Sequence, residues 1–440
     1  MSYDLALWMF PVLLATIFIG VPVAFALMSV ALVFGVLQFG DAVVVMFAHR
    51  VEEISSSHIL AAVPLFIFMG AMLEKSGIAE GMFETIHHWT HRLPGGLAVA
   101  TIVICVLFAA SSGVVGATET VVGMLAVPVM MRHGYDKGLI SGTICAGGSL
   151  GSIIPPSMLV IILASIADLS IGELFTAMLF PGLILAGLYI LYIMGYCLIR
   201  PAAAPRDNYV PDDTPLLRRL LQTAFVMLPP LSLIAAVLGS IIFAIAVPTE
   251  AAAVGAIGAL ILTVVYGRYS HSVLKEAMLT TLSITAMILT IVVGGLMFLG
   301  VFAGSGGLAA MQELLAQAGL GAWGTLALIL LITFLAGFVL DTISIMLILV
   351  PLAMPIIAGL GFDPIWFSIL LLLMMQTSLL TPPMAGAIFY FRAIAPPEIT
   401  LRDMYRGVVP FIALHFVVLA LLVAFPALAL WLPSKLLGFD

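Results

Sequence analysis

Apolar runs of about 16 to 28 residues recur along the whole chain, and a helix needs about 20 such residues to cross the hydrocarbon core of a bilayer. Only 8% of the 440 residues are charged, against roughly 25% in a typical soluble domain. Backbone N–H and C=O groups cannot face lipid unpaired, and the sequence shows no series of alternating strands of about ten residues. The sequence therefore predicts an all-α polytopic membrane protein, surrounded by a lipid bilayer.

The few polar features exclude several other classes of protein. No cluster of basic residues occurs and the net charge is −7, so nucleic-acid binding is excluded. The three cysteines, Cys105, Cys145 and Cys197, lie inside apolar segments, which favours small buried side chains over a disulfide or metal framework. No Gly-rich loop ending in Gly-Lys-Ser or Gly-Lys-Thr is present, so nothing indicates ATP hydrolysis.

Ten transmembrane helices are predicted between charged or Gly/Pro-rich breaks, at 5–19, 22–37, 59–74, 139–166, 173–199, 221–245, 248–266, 279–303, 364–394 and 405–432. Two further apolar stretches, 97–131 and 323–358, are interrupted in their middle, by Ser111-Ser112-Gly113 and by Gly337 to Thr342. Non-helical backbone is tolerated at membrane depth only where it is buried in protein or lines a cavity. These two stretches are therefore predicted to be re-entrant hairpins.

Residues 200–220, rich in proline and charge, are predicted to be a cytoplasmic linker between two halves, 1–199 and 221–440. Sequence features of the first half recur 226 to 229 positions later in the second. The matched features are Pro22 and Pro248, Pro128 and Pro355, Gly134-Tyr135-Asp136 and Gly361-Phe362-Asp363, Pro155-Pro156 and Pro382-Pro383, and Pro181 and Pro410. Internal repeats of this kind are typical of secondary transporters.

The distribution of basic residues predicts that the two halves are inverted in the membrane. The ends of the first hairpin carry Arg92, Arg132 and Lys137, whereas the segments that bound the second, 304–323 and 358–364, carry no Lys or Arg. Lys and Arg concentrate in cytoplasmic loops. The two hairpins are therefore predicted to enter from opposite sides.

Each hairpin is followed by a helix, 139–166 or 364–394, that is interrupted by a proline pair. Proline lacks an amide donor and clashes with the preceding turn, so a pair of prolines leaves carbonyl groups unpaired near mid-membrane. Unwound backbone coordinates sodium in transporter folds, and half-helix N-termini attract anionic substrates. A kink that only aids packing would explain one such break, but two matched breaks, each beside a polar hairpin tip, favour ion sites.

Several motifs resemble those of one family, the large permease subunit of TRAP (tripartite ATP-independent periplasmic) transporters. The motifs are Gly134-Tyr135-Asp136 after Pro128-Val129-Met130, Gly151-Ser152-Ile153-Ile154-Pro155-Pro156-Ser157, Pro248-Thr249-Glu250-Ala251-Ala252-Ala253, the run from Phe334 to Asp341, and Thr381-Pro382-Pro383. The resemblance covers nearly the whole chain. It implies an elevator-type carrier in the bacterial inner membrane, a small four-helix membrane subunit as partner, and a periplasmic solute-binding protein that delivers an organic acid.

The resemblance and the breaks together predict two sodium sites and a substrate region. The predicted sodium-binding residues are Ser111, Ser112, Gly151, Ile154, Pro156, Gly337, Ser378, Thr381 and Met384. The predicted substrate-binding residues are Ser152, Asp341, Thr342, Gln376 and Thr377. Two positions depart from the family pattern: Val114 follows Ser112-Gly113 where a second serine is usual, and Ser378 replaces a usual glycine.

Three acidic residues in apolar surroundings have more than one interpretation. A carboxylate inside the membrane is a functional candidate by default, and Asp341 lies at the tip of the second hairpin. It would serve equally well as the N-cap of the returning helix. For Glu119 and Glu250, packing or capping is favoured over function. No carboxylate or cysteine stands at ligand spacing from the histidines of the amphipathic stretch 79–92, so these histidines are interpreted as solvated and not as a metal site.

The predicted function is sodium-coupled import of an organic acid anion, without enzymatic activity. The main alternative is a stand-alone sodium-coupled carboxylate carrier with the same hairpin architecture. A hydrolase with Ser111 or Ser112 as nucleophile is disfavoured because no histidine lies nearby in the sequence to act as base. A passive channel is disfavoured by the duplicated hairpins, which favour alternating access.

Overall fold

The computed structural model describes residues 4–112, 116–205, 215–383 and 385–438, and these residues form helices and no strand. The α-helices in chain order are α1 (Asp4–Phe18), α2 (Val23–Phe39), α3 (Ala42–Ser55), α4 (Ala62–Lys75), α5 (Ile78–Thr90), α6 (Gly96–Ser112), α7 (Ala117–Arg132), α8 (Lys137–Ser149), α9 (Met158–Ala167), α10 (Ile171–Ile199), α11 (Leu216–Ile242), α12 (Pro248–Val265), α13 (His271–Gly304), α14 (Gly307–Ala318), α15 (Gly321–Ala336), α16 (Thr342–Gly359), α17 (Pro364–Leu380), α18 (Gly386–Ile394), α19 (Leu401–Ala424) and α20 (Ala427–Leu437). The fold is therefore all-α.

The order of helices repeats between the halves at an offset close to 227 residues. Helices α6 and α7 of the first half correspond to α15 and α16 of the second, and α8 and α9 correspond to α17 and α18. The helix starts repeat in detail. Asp136 caps α8 by accepting a hydrogen bond from Leu139 N, and Asp363 caps α17 by accepting one from Trp366 N. Matching local sequence thus produces matching helix boundaries.

The lengths of the helices correct several predicted spans. Within the described part of the chain, six helices are long and apolar enough to cross a membrane alone. A seventh span arises if α4 and α5, bent by 64° at their junction, count as one. The predicted span 405–432 is wrong as a single helix, because the chain breaks at Phe425-Pro426 between α19 and α20. The segment 304–323, interpreted as a loop, contains α14, and helix α3 was not predicted.

Close helix contacts in the core depend on small residues. Helices α8 and α19 approach so closely that a side chain on Gly407 would collide with the Gly138 carbonyl oxygen and lie 2.9 Å from Gly142 N. Small residues at helix contacts allow such approach in membranes, where dispersion forces between helices replace the hydrophobic effect as the main attraction. This contact fixes α8, which leads into the first helix break, against the second half of the chain.

Many large apolar side chains point outward. Phe18 is 73% exposed, Phe225 is 71% exposed and Ile245 is 77% exposed. Exposed apolar surface on this scale is unusual in soluble monomers, and it is expected where lipid surrounds the helices. The interior is closely packed in contrast, with long runs of fully buried residues in α8, α9 and α17.

Candidate functional site

The second helix break lies between α17 and α18. Helix α17 ends at Leu380, and the Pro382-Pro383 bond that follows Thr381 is cis. Because Pro383 has no N–H, it cannot donate to the Leu379 carbonyl oxygen four residues earlier. The Thr381 hydroxyl donates to the Thr377 carbonyl oxygen at 2.7 Å. Backbone and hydroxyl oxygens therefore collect at this break.

The first helix break, between α8 and α9, also contains a proline pair, but it includes a short 3-10 turn. Helix α8 ends at Ser149 and continues as a single 3-10 turn, Leu150–Ser152, before the cis Pro155-Pro156 bond and α9. The Ser157 hydroxyl donates to the Ser152 carbonyl oxygen at 3.0 Å, the group that Pro156 cannot reach with an amide. Gly151 and Ser152, in this turn, and Ile154, just after it, are buried.

The structure brings two predicted sodium-binding residues of the second half into contact. Gly337 is the C-cap of α15, at the tip of the second hairpin. A side chain at this position would collide with the Ser378 hydroxyl of α17, which is only 2% exposed. Gly337 and Ser378 therefore join the hairpin tip to the helix break.

The residues at the matched positions of the first half also combine glycine with one larger residue. The residues 227 positions before Gly337 and Ser378 are Ala110 and Gly151. Each pair contains one glycine, which lies at the hairpin tip in the second half and at the helix break in the first half. This exchange explains why serine is accommodated at 378, where the family pattern has glycine.

Asp341 caps a helix, which confirms the prediction that it is an N-cap. It is the N-cap of α16, and its carboxylate accepts hydrogen bonds from Ile343 N at 3.1 Å and Ser344 N at 3.2 Å. Thr342 begins the helix beside it. Glu250 likewise accepts a hydrogen bond from Val247 N at 3.2 Å and caps α12. Both acidic residues thus stabilise helix N-termini.

The two helix breaks contact each other through two residues at matched positions of the repeat. The Gln376 side-chain nitrogen donates to the Ser149 hydroxyl at 3.2 Å, and Gln376 lies 227 residues after Ser149. Gln376 and its neighbour Thr377 are each only 2% exposed, so this contact between matched positions lies among buried polar groups.

A buried tyrosine and histidine continue this polar contact. The Tyr189 hydroxyl lies next to Ser149 and within 3.1 Å of the Nε2 atom of His415. Tyr189 belongs to α10 and His415 to α19, and both are 0% exposed. Ser149, Tyr189 and His415 were not predicted as a group, although the offset of 227 between Ser149 and Gln376 is a signal present in the sequence.

Some predicted residues lie outside the description. The side chains of Ser111 and Ser112, which end α6, and the whole of Met384 are outside the described residues, as are residues 113–115. In the part of the chain that the structure describes, no group of three His, Cys, Asp or Glu side chains could hold a metal ion.

Comparison with known proteins identifies the family of this architecture. A family model described as "Tripartite ATP-independent periplasmic transporter, DctM component" matches residues 10–428. The chain is 32% identical over 402 residues to the C4-dicarboxylate TRAP transporter large permease DctM of Pseudomonas aeruginosa, covering 91% of this chain and 92% of the relative. It is 30% identical over 439 residues to the sialic acid TRAP transporter large permease SiaM of Vibrio cholerae, covering 97% and 98%.

The fold is also similar to that of a solved structure. The Alcanivorax borkumensis YdaH transporter, whose crystal structure is described as having an unusual topology, superposes with a TM-score of 0.64. The alignment covers 93% of this chain and 96% of the other, at 17% sequence identity, so it shows a shared fold alone. Because the family model spans nearly the whole chain and contains both hairpins and both broken helices, this chain belongs to the DctM component family of the tripartite ATP-independent periplasmic transporters.

Proposed function

We propose that this chain is the large subunit of a secondary transporter in a bacterial inner membrane and couples uptake of an organic acid anion to sodium entry. The observation that carries the proposal is the contact of Gly337, at a hairpin tip, with Ser378, at a helix break. Carbonyl and hydroxyl oxygens at such a break are suitable ligands for a hard cation. Each sodium ion that enters gains about 2.3 kcal/mol per 100 mV of membrane potential.

The proposed substrate region lies between the two breaks, around Gln376. The side-chain amide oxygen of Gln376, Oε1, is buried and has no hydrogen-bond partner among the described residues, so it is available to a ligand. The half-helices α9 and α18 begin directly after the breaks, and helix N-termini favour anions. Relatives named as permeases for C4-dicarboxylate and for sialic acid support an organic acid as the class of substrate.

The proposed partners follow from the tripartite family. A small membrane subunit and a periplasmic solute-binding protein would complete the transporter, and the solute-binding protein would supply much of the selectivity. The alternative is a carrier that works alone. Reconstitution of the chain by itself and with the products of the flanking genes distinguishes the two, because a stand-alone carrier needs neither partner for uptake.

We expect uptake of a radiolabelled C4-dicarboxylate or sialic acid into vesicles to require an inward sodium gradient. We expect Thr381→Val to raise the sodium concentration for half-maximal uptake about tenfold, equivalent to about 1.4 kcal/mol of binding free energy. The substitution keeps the volume of the side chain but removes the hydroxyl beside the Leu379 carbonyl oxygen, to which Pro383 cannot donate. Sodium titration of uptake at equal protein levels is the measurement.

Thr333→Val is the matched control for this experiment. The Thr333 hydroxyl donates to the Ile329 carbonyl oxygen at 2.8 Å, in the same i to i−4 arrangement as Thr381, and Thr333 is buried in α15. Its substitution should leave the sodium titration unchanged. Accumulation driven by a pH gradient without sodium would overturn the coupling, and an unchanged titration for Thr381→Val would remove Thr381 from the site.

We expect single cysteines at Leu93 and Leu320 to react with an impermeant thiol reagent from opposite faces of the membrane. The two positions are 227 residues apart and precede the two hairpins, and their side chains are 38% and 45% exposed. Arg92 and Arg132 lie at the ends of the first hairpin, whereas the segments that bound the second, 304–323 and 358–364, carry no Lys or Arg. This contrast predicts the inversion. The experiment needs a background without the three native cysteines. Labelling of both positions from the same face would exclude an inverted repeat.

A further inference from the structure

A buried carboxylate lies where the first hairpin packs against α8, outside the proposed sodium sites. Glu119 belongs to the first turn of α7 and is 0% exposed. Its side chain rests on Gly148 of α8, where an added Cβ would lie 2.5 Å from the Glu119 Cδ atom and 3.0 Å from Oε1. Gly148 therefore provides the space that the carboxyl group occupies.

Neither carboxylate oxygen of Glu119 has a hydrogen-bond partner among the described residues. The backbone amides of Gly116 and Glu119 lie close enough to interact electrostatically, but they do not reach hydrogen-bond geometry. A helix N-terminus favours negative charge only modestly. The desolvation cost of an unpaired buried charge is much larger.

Within the described ranges, the groups that face Glu119 supply no positive charge. They are the Cys105 thiol on α6, the Cys145 thiol on α8 and the Tyr390 side chain on α18, each within electrostatic range of the carboxyl group. The ring of Tyr390 also packs 3.1 Å from the position of a Cβ added to Gly116. Sulfur and aromatic carbon are poor ligands for a hard cation, which prefers several oxygens.

The remaining titratable groups on the helices packed against α7 lie elsewhere. Arg392 on α18 donates to the Ile399 carbonyl oxygen at 3.0 Å. Arg132 ends α7 and Lys137 begins α8, so each lies about 16 to 20 Å along its helix from the Glu119 contact. Helix α5, which also packs on α7, carries two glutamates and two histidines, at Glu80, Glu84, His87 and His88.

The positions of the second half that match Glu119 and Gly148 carry uncharged side chains. The residues 227 positions after Glu119 and Gly148 are Met346 and Met375, which are 0% and 1% exposed. Two neutral side chains thus occupy in one half the positions that a carboxyl group and a glycine occupy in the other. A neutral carboxyl group, with a proton taken from water to form an O–H bond, matches this environment better than a carboxylate.

We propose that Glu119 is a proton-binding site at the contact between the first hairpin and α8, and that it holds a proton while the two are packed together. A proton satisfies the carboxyl group where its neighbours, as far as the structure describes them, offer neither a counter-ion nor the several oxygens that sodium requires. Proton binding at Glu119 does not depend on the proposed sodium coupling. It can be measured without transport.

The test is infrared spectroscopy of the full chain in lipid nanodiscs at neutral pH. We expect the wild-type spectrum to contain a protonated-carboxyl stretching band that is lost in Glu119→Gln. Glu84→Gln is the matched control, because Glu84 lies on the neighbouring helix α5 and is exposed, and it should keep the band. If Glu119→Gln does not fold, Glu119→Met gives the same comparison, since methionine occupies the equivalent position 346.

Two results would overturn the proposal. The first is a protonated-carboxyl band of equal intensity in wild type and in the Glu119 variants. The second is a band that disappears when sodium is added at constant pH, which would show that Glu119 binds the cation in place of a proton. Persistence of the band in sodium, together with its loss in the variant, supports the assignment.

Discussion

Replacing Gly337 with alanine is expected to abolish most sodium-dependent uptake, because the new methyl group would collide with the Ser378 hydroxyl. Ser378 is 2% exposed and its hydroxyl donates to the Met375 carbonyl oxygen at 2.7 Å, so it has little room to move. Overpacking of this kind costs about 1 to 3 kcal/mol. The cost would fall on the contact between hairpin tip and helix break, and would move the oxygens proposed to bind sodium.

The repeat offers a rescue for this substitution. Adding Ser378→Gly to Gly337→Ala reproduces the pair Ala110 and Gly151 of the first half, and uptake is expected to recover substantially. Gly359→Ala in α16 is the control, because a Cβ there meets no atom within 4 Å. Normal uptake by Gly337→Ala, or a double variant no better than the single one at equal protein levels, would contradict the proposed contact.

Gly407→Ala is expected to destabilise the whole membrane domain, since its methyl group would collide with the Gly138 carbonyl oxygen on the facing helix. Backbone atoms cannot rotate away as a flexible side chain can, so α8 and α19 would have to separate. We expect a loss of about 3 kcal/mol or more, the upper range for overpacking. The measurement is the melting temperature of the purified chain, determined from the amount of protein that stays monodisperse after heating.

A second glycine in the same contact and one outside it complete this test. Gly142→Ala should act in the same direction, because its methyl group would collide with the Gly407 carbonyl oxygen. Gly187→Ala, in α10, meets no atom within 4 Å and should keep or raise stability, since alanine favours a helix over glycine. Equal melting temperatures for all three variants would show that the two helices do not approach as closely as described.

Sequence determined the features that depend on neighbours along the chain. Apolar runs long enough for a bilayer give membrane helices, Pro382-Pro383 ends a helix because proline cannot donate, and Asp136 and Asp363 cap helices within three residues. These effects act over a few residues, so spacing alone reveals them. Runs of hydropathy failed where short helices adjoin, as at Phe425-Pro426, because an apolar turn does not interrupt the pattern, and they also missed the short helices α3 and α14.

Tertiary structure alone decided which of these elements meet. Nothing local to Gly337 indicates that it faces Ser378, and nothing local to Glu119 indicates that it rests on Gly148 without a partner. Gln376 reaches Ser149 across 227 residues of chain. Contacts between helices depend on how their surfaces fit after they have formed. Local sequence therefore determines where the helices break, whereas the packing of helices decides which side chains meet at the breaks.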